Sequence, residues 1–174
     1  MAISAPAPRI EPLGNQHDRA GFVCGKDALD QYFQRQVTQD SRRNLASPFV
    51  MVMPDGVMPD GAIGGYYTLS STAIRLHDLP EEVARRLPRY PLVPATLIGR
   101  LAIDRRYHKQ GWGSFLLLDA LHRCATSEIA SFAVIVDAID DEARAFYLHQ
   151  SFLPLPDSPL RLFRRMSDIE ALFR

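Results

Sequence analysis

Apolar and polar positions along this chain follow two periods. Thr96 to Ile103 (TLIGRLAI) and Phe132 to Asp137 (FAVIVD) are short apolar runs of strand length. Between them the period lengthens. Phe115, Leu118, Leu121 and Cys124 recur in steps of three, with Leu116 and Leu117 widening the apolar face of a helix. The same reading predicts a short edge strand over Arg9–Leu13 and a helix from Lys26 to about Asn44, with Leu29, Tyr32, Phe33, Gln36 and Val37 on one face. A hairpin of Pro48–Met53 with Ala62–Ser70 follows, its connection marked by the turn signals Pro54-Asp-Gly and Pro59-Asp-Gly. A short helix is expected over Asp78–Leu87, then an extended connector through Pro88, Pro91 and Pro94. Later come a helix over Asp140–Gln150, extension at Phe152-Leu153, a turn-rich loop from Pro154 to Pro159 and a strand over Leu160–Met166. Ser167 is placed to cap a terminal helix. The order β α β β α β α β α β β α predicts one α/β domain over residues 1–174, its first seven residues a loose terminus.

Composition changes this picture little. With 47% hydrophobic and 23% charged residues in 174, the chain reads as one soluble globular domain. No apolar run reaches the ~18 residues of a membrane span and no signal-like start is present, so a cytoplasmic protein is expected. Cys24 and Cys124 read as two buried thiols, and no Cys/His cluster has metal-ligand spacing, so no metal is expected. A net charge of zero argues against binding nucleic acid with the whole surface, though not with a patch. Of the 20 Lys and Arg residues only Lys26 and Lys109 are lysines, a bias that suits bidentate phosphate contacts and that a biased genomic composition would equally produce.

The candidate chemistry starts where the strand Thr96–Ile103 gives way to Gly111-Trp112-Gly113-Ser114 and a helix. A glycine-bearing loop in that position offers backbone N–H groups and the positive end of a helix dipole to an anion, and so a phosphate-bearing cofactor is expected.

The segment from Leu101 through Leu118, with its loop His108-Lys-Gln-Gly111-Trp-Gly113, resembles the acetyl-CoA motif Gln/Arg-x-x-Gly-x-Gly/Ala of the GNAT N-acetyltransferases. Asp140-x-x-Ala143-x-x-Phe146-Tyr147-x-x-x-x-Phe152 resembles their second motif. His108 departs from the pattern, standing where Gln or Arg is usual. Phe22 to Asp40 and Gly65-Tyr-Tyr-Thr-Leu-Ser70 are similar to the GNAT toxins of bacterial toxin–antitoxin modules, which acetylate the amino acid on aminoacyl-tRNA and block translation.

The resemblance implies a single-domain GNAT-like fold, a mixed central sheet with splayed parallel strands flanked by helices. It implies acetyl-CoA as co-substrate, its pyrophosphate held by Lys109, Gln110, Gly111, Trp112, Gly113 and Ser114, and its pantetheine paired with the backbone of Leu101, Ala102 and Ile103. Asp140 and Phe146 would join the cofactor site, with Ala143 small enough to let the arm pass. Tyr147 would be the general acid that protonates the departing thiolate, and a backbone N–H of the 101–103 strand would meet the developing oxyanion. No side chain stands out as a general base; His77, Asp78 and Asp137 are weak alternatives. For tRNA, Arg85, Arg86 and Arg89 are the favoured phosphate contacts, ahead of Arg161/Arg164/Arg165 and Arg42/Arg43. Implied partners are aminoacyl-tRNA and a ribbon-helix-helix antitoxin. Exposed apolar residues on the Tyr66-Tyr67 strand or the last strand are the candidate dimer surface. Two other readings compete: acetylation of a small amine or protein N-terminus, and a non-catalytic place in a DNA-binding repressor complex.

Overall fold

The alternation of elements expected from the sequence is present in the computed structural model, which describes residues 6–54 and 61–174. Strands β1 (Arg9–Pro12), β2 (Ser47–Val52), β3 (Ile63–Arg75), β4 (Leu92–Ile103), β5 (Ala133–Asp137), β6 (Leu153–Leu155) and β7 (Ser158–Arg165) form one mixed sheet in the order β1-β2-β3-β4-β5-β7-β6. The helices are α1 (Asp27–Gln31), α2 (Val37–Arg42), α3 (Glu81–Ala84), α4 (Trp112–Ala125), α5 (Asp141–His149) and α6 (Met166–Glu170). Most of the two Pro-Asp-Gly turns and the first five residues lie outside the described residues. The chain divides into two compact units, Met1–Thr68 with Arg100–Asp119, and Leu69–Gly99 with Ala120–Arg174.

In the first unit β1 pairs antiparallel with β2, Ile10 opposite Met51. The expected long helix is interrupted: a π-helical turn, Tyr32–Gln36, joins α1 to α2. The wider turn rotates the buried face, so Asp30, Tyr32, Phe33 and Val37 are buried while Gln36 is exposed, correcting the simple 3.6-residue expectation. An aromatic cluster fills this core. Phe33 stacks on Tyr66 with centroids 4.2 Å apart, and Phe22 meets both rings edge-on at 5.0 and 5.4 Å. The Tyr66 hydroxyl donates to the Leu29 carbonyl at 2.8 Å. Both Tyr66 and Tyr67 are fully buried, so neither ring is offered to a partner. At Gly65 a Cβ would stand 2.9 Å from the Ala102 carbonyl oxygen, so only glycine permits this approach of β3 to β4.

The second unit is built on β5, whose residues Ala133, Val134, Ile135 and Val136 are fully buried, as a strand covered on both faces must be. It pairs parallel with β4 from Ala95↔Ala133 to Ile98↔Val136 and antiparallel with β7, Ile135 opposite Phe163. The parallel ladder ends at Ile98, while β4 continues to Ile103. Strand β4 also starts earlier than the proline connector suggested, at Leu92, and carries Pro94. Phe163, Ile135, Leu79, Val93 and Leu155 share the second core.

Three further expectations are corrected. On α4 the residues at steps of three drift off the buried face: Phe115 is 38% and Leu118 48% exposed, and the core side is Leu116, Leu117, Ala120, Leu121 and Cys124. That is the i, i+4 pattern of a 3.6-residue period. The Asp78–Leu87 helix shrinks to a 3₁₀ turn, Leu76–Asp78, followed by α3. Ser167 does not cap α6, which begins one residue earlier at Met166 with Arg165 as N-cap. Both cysteines are buried free thiols, as expected.

Candidate functional site

Eight residues in the first unit, 104–111, join the end of β4 to the start of α4. The backbone N–H of Asp104, just past Ile103, donates to the Gly64 carbonyl at 2.9 Å. Its side chain is 1% exposed and accepts from the Val23 N–H (3.1 Å), the Arg106 N–H (3.0 Å) and the Arg106 guanidinium (2.9 and 3.2 Å). Burial works against this carboxylate, but the hydrogen bonds more than offset it, and its pKa lies below the ordinary value. The stabilisation is therefore complete above the unfolded carboxyl value of about 3.9 and is lost as the pH falls through the lower folded value. We expect Asp104→Ala to cost about 2–4 kcal/mol near neutral pH, because Val23 and Arg106 lose their acceptor. Urea denaturation should show the gap to the parent narrowing below about pH 4.

After a 3₁₀ turn, Arg105–Tyr107, a ring nitrogen of His108 lies 2.7 Å from the Ile103 carbonyl oxygen. A carbonyl only accepts, so Nε2 carries the proton and the imidazole ties the loop back to the strand. That is what His does at the position where Gln or Arg is usual. The loop then passes two residues of left-handed backbone, Lys109 (φ 60°) and Gly111 (φ 84°). A Cβ at Gly111 would meet only open space, so its glycine answers to backbone conformation. Helix α4 starts at Trp112, runs 14 residues and has no acid in its first turn. The N–H groups of Trp112 and Gly113 precede the first intrahelical acceptors, while Phe115 already donates to the Gly111 carbonyl. This end of the helix suits an anion of the size and charge of a pyrophosphate.

In the second unit the Asp140 carboxylate caps α5, accepting from the Ala143 N–H at 2.9 Å. Tyr147 is 7% exposed and stands edge-on between Phe146 (5.1 Å) and Phe152 (5.5 Å). Phe152 also donates its N–H to the Tyr147 carbonyl. Among the described residues no protein group hydrogen-bonds the Tyr147 hydroxyl, and burial alone pushes its pKa above the usual phenol range. Buried tyrosines usually have the hydroxyl satisfied, although that of Tyr107 here also lacks a partner among the described residues. Tyr147 is held by its ring with the polar end uncommitted.

Arg85, Arg86 and Arg89 are all exposed at and after the end of α3. Next to them Tyr90 is 68% exposed, an aromatic the sequence pattern did not single out. The rival cations on β7 are engaged: Arg161 lies 3.3 Å from Asp137, Arg165 bonds Asp168 at 3.1 Å, and Arg164 donates to the Gln150 carbonyl at 3.0 Å. Of the alternatives for a general base, His77 and Asp78 face each other at 3.5 Å, and Asp137 pairs with Arg161. Among the described residues no three His, Cys, Asp or Glu side chains could hold a metal.

No protein-family model matches the chain. Curated relatives do, among them two toxins. A probable toxin TacT of Sinorhizobium fredii is 35% identical over 99% of this chain and 99% of its own length. A tRNA-acetylating toxin of Mycobacterium tuberculosis is 36% identical over 95% of each. Among solved structures, a tyrosine-to-phenylalanine mutant of KacT matches with a TM-score of 0.87 at 28% identity, covering 97% of this chain and 100% of that one. AtaT complexed with acetyl-methionyl-tRNAfMet matches at 0.85 and 28%, covering 96% and 99%. A tyrosine-to-phenylalanine mutant of AtaT, bound to the C-terminus of the antitoxin AtaR and to acetyl-CoA, matches at 0.79 and 25%, covering 97% and 99%. Similarity of this extent, in sequence and in fold, has one reading: the chain belongs to the GNAT-fold tRNA-acetylating toxins.

Proposed function

We propose that this protein is a cytoplasmic toxin that transfers an acetyl group from acetyl-CoA to the α-amino group of an aminoacyl-tRNA, so that the blocked amino acid halts translation. The observation that carries the reading is the 36% identity, over 95% of each chain, to a tRNA-acetylating toxin. The solved complex of AtaT with acetyl-methionyl-tRNAfMet favours it over a small amine or a protein N-terminus. Residues 1–174 act as a single N-acetyltransferase domain.

Acetyl-CoA supplies the activated acetyl group. Lys109, Gln110, Gly111, Trp112, Gly113 and Ser114 hold its pyrophosphate, chiefly through backbone N–H groups at the start of α4. Leu101, Ala102 and Ile103, beyond the end of the parallel ladder, offer main-chain groups to the pantetheine amides, and one N–H there meets the thioester oxygen as charge builds on it. Phe146 packs along the arm, and Asp140 orders the start of α5. Tyr147 donates its proton to the departing sulfur. The amine of an aminoacyl ester is less basic than a lysine, so no dedicated base is needed.

Arg85, Arg86 and Arg89 bind the tRNA backbone, and Tyr90 adds a ring on which an unpaired base can stack. A ribbon-helix-helix antitoxin neutralises the enzyme, as the complex of AtaT with the C-terminus of AtaR suggests. Labelled acetyl-CoA incubated with total charged tRNA tests the reading: label on an aminoacyl group supports it, and label confined to small amines or protein overturns it. Arg85→Glu with Arg86→Glu should lower kcat/KM for charged tRNA about tenfold or more and flatten its salt dependence, with acetyl-CoA affinity retained.

A further inference from the structure

Arg100 is a cation that the expected roles leave unused. It precedes Leu101 on β4, and by strand alternation its side chain shares a sheet face with Ala102. Ala102 belongs to the core that contains Tyr32, Phe33 and Tyr66. The guanidinium carbon of Arg100 lies 3.5 Å from the centroid of the Tyr32 ring, seated on its face. Tyr32 is fixed in turn. Its hydroxyl donates to Asp40 Oδ2 at 3.0 Å, and the other Asp40 oxygen accepts from Gln36 at 3.0 Å. Both Tyr32 and Gln36 belong to the π-helical turn. An ordinary helix would carry Tyr32 at a different angle, and π turns of this kind are often found at functional sites.

The charge that this seat holds feels the Asp40 carboxylate beyond the Tyr32 ring but makes no direct ion pair with it. Among the described residues no carboxylate lies within ion-pair distance of Arg100, and Asp40 is already committed to Tyr32 and Gln36. Arg100 is itself partly buried. A stacked guanidinium uses its flat face on the ring and keeps its N–H edge for a planar or tetrahedral oxyanion. Burial and the bond to Asp40 push the Tyr32 phenol up to about 12, so the ring stays neutral beneath the cation. A pre-seated, unpaired cation one residue before the strand assigned to the thioester is placed for the acceptor.

We propose that Arg100 is an acceptor-binding residue: its guanidinium, fixed on Tyr32 by the π turn, takes a phosphodiester of the RNA 3′ end and so brings the aminoacyl ester to the Leu101–Ile103 strand. This rests on the aminoacyl-tRNA reading above. It adds a contact near the reacting end that is separate from the surface cations Arg85, Arg86 and Arg89.

The test compares the full-length enzyme with Arg100→Gln, Arg100→Lys and Tyr32→Leu, on charged tRNA and on a phosphate-free aminoacyl-adenosine, with acetyl-CoA binding measured directly. Arg100→Gln should raise KM for charged tRNA about ten- to hundredfold, the scale of one charge-assisted contact. Its effect on the aminoacyl-adenosine should be much smaller, so the preference for tRNA falls. Arg100→Lys should recover part of the loss, and Tyr32→Leu should reproduce part of it by removing the seat. Equal losses on both acceptors, or a matching loss of acetyl-CoA affinity, would overturn the assignment in favour of a role in the strand or the cofactor site. An unchanged KM for tRNA in a folded Arg100→Gln would overturn it outright. If the parent enzyme labels no charged tRNA while still binding acetyl-CoA, the aminoacyl-tRNA reading fails first and takes this inference with it.

Discussion

Tyr147→Phe is expected to lower acetyl transfer by about 10²–10⁴-fold, the range a positioned general acid contributes, and to leave acetyl-CoA binding nearly intact. The substitution removes one oxygen and keeps the ring between Phe146 and Phe152, so the packing survives. No protein partner among the described residues loses a hydrogen bond, and stability should hardly change. Growth arrest on expression should be relieved. Undiminished arrest by a folded mutant would remove Tyr147 from the chemistry. The raised pKa gives a second readout with a definite sign. Burial favours the neutral phenol, so the proton remains in place throughout the physiological range and well above it. The rate should rise with pH as the acceptor amine deprotonates, with no falling limb from Tyr147 near its ordinary value of about 10. The same low-dielectric surroundings that disfavour a phenolate also disfavour a free thiolate, which keeps proton transfer between the two feasible.

The largest loss of stability is expected from Phe33→Ala, at about 3–5 kcal/mol. Phe33 is fully buried, stacks on Tyr66 at 4.2 Å and meets Phe22 at 5.0 Å. Its removal opens a cavity between two large rings that are anchored elsewhere, Tyr66 by its hydroxyl on Leu29. Because the ring also belongs to the π turn, the substitution should loosen the seat of Tyr32. Urea denaturation and the near-ultraviolet spectrum of the aromatic cluster would check both effects. A cost below about 1 kcal/mol would mean that the core can collapse around the gap.

Element order was legible in the sequence because strands and helices here carry distinct periods. The buried strand Ala133–Val136 is an unbroken apolar run, and α5 begins at an Asp that does cap it. What was not legible depended on geometry beyond the local pattern. Nothing in YFQRQ announces a π turn, so Gln36 was assigned to a face it does not occupy. Phe115 and Leu118 are as apolar as Leu116 and Leu117, and only the true helical period separates exposed from buried. Tyr66 and Tyr67 read as exposed and are core, because both faces of β3 are covered there. The expectation for the loop and for Tyr147 comes from a motif resemblance. The seat of Arg100 on Tyr32 joins residues far apart in sequence and left no local signal.

The sheet ends on one side at β1, four residues closed by Pro12, and on the other at β6, three residues with Pro154 at their centre. A proline offers no N–H to an incoming strand, and so short an edge gives a foreign chain little ladder to extend. A toxin must persist in the cell alongside its inhibitor, and these blunted margins protect it from polymerising through its own sheet. A partner that recognises this molecule must therefore do so with side chains on its faces and helices. Backbone pairing along the rim gives it little to hold.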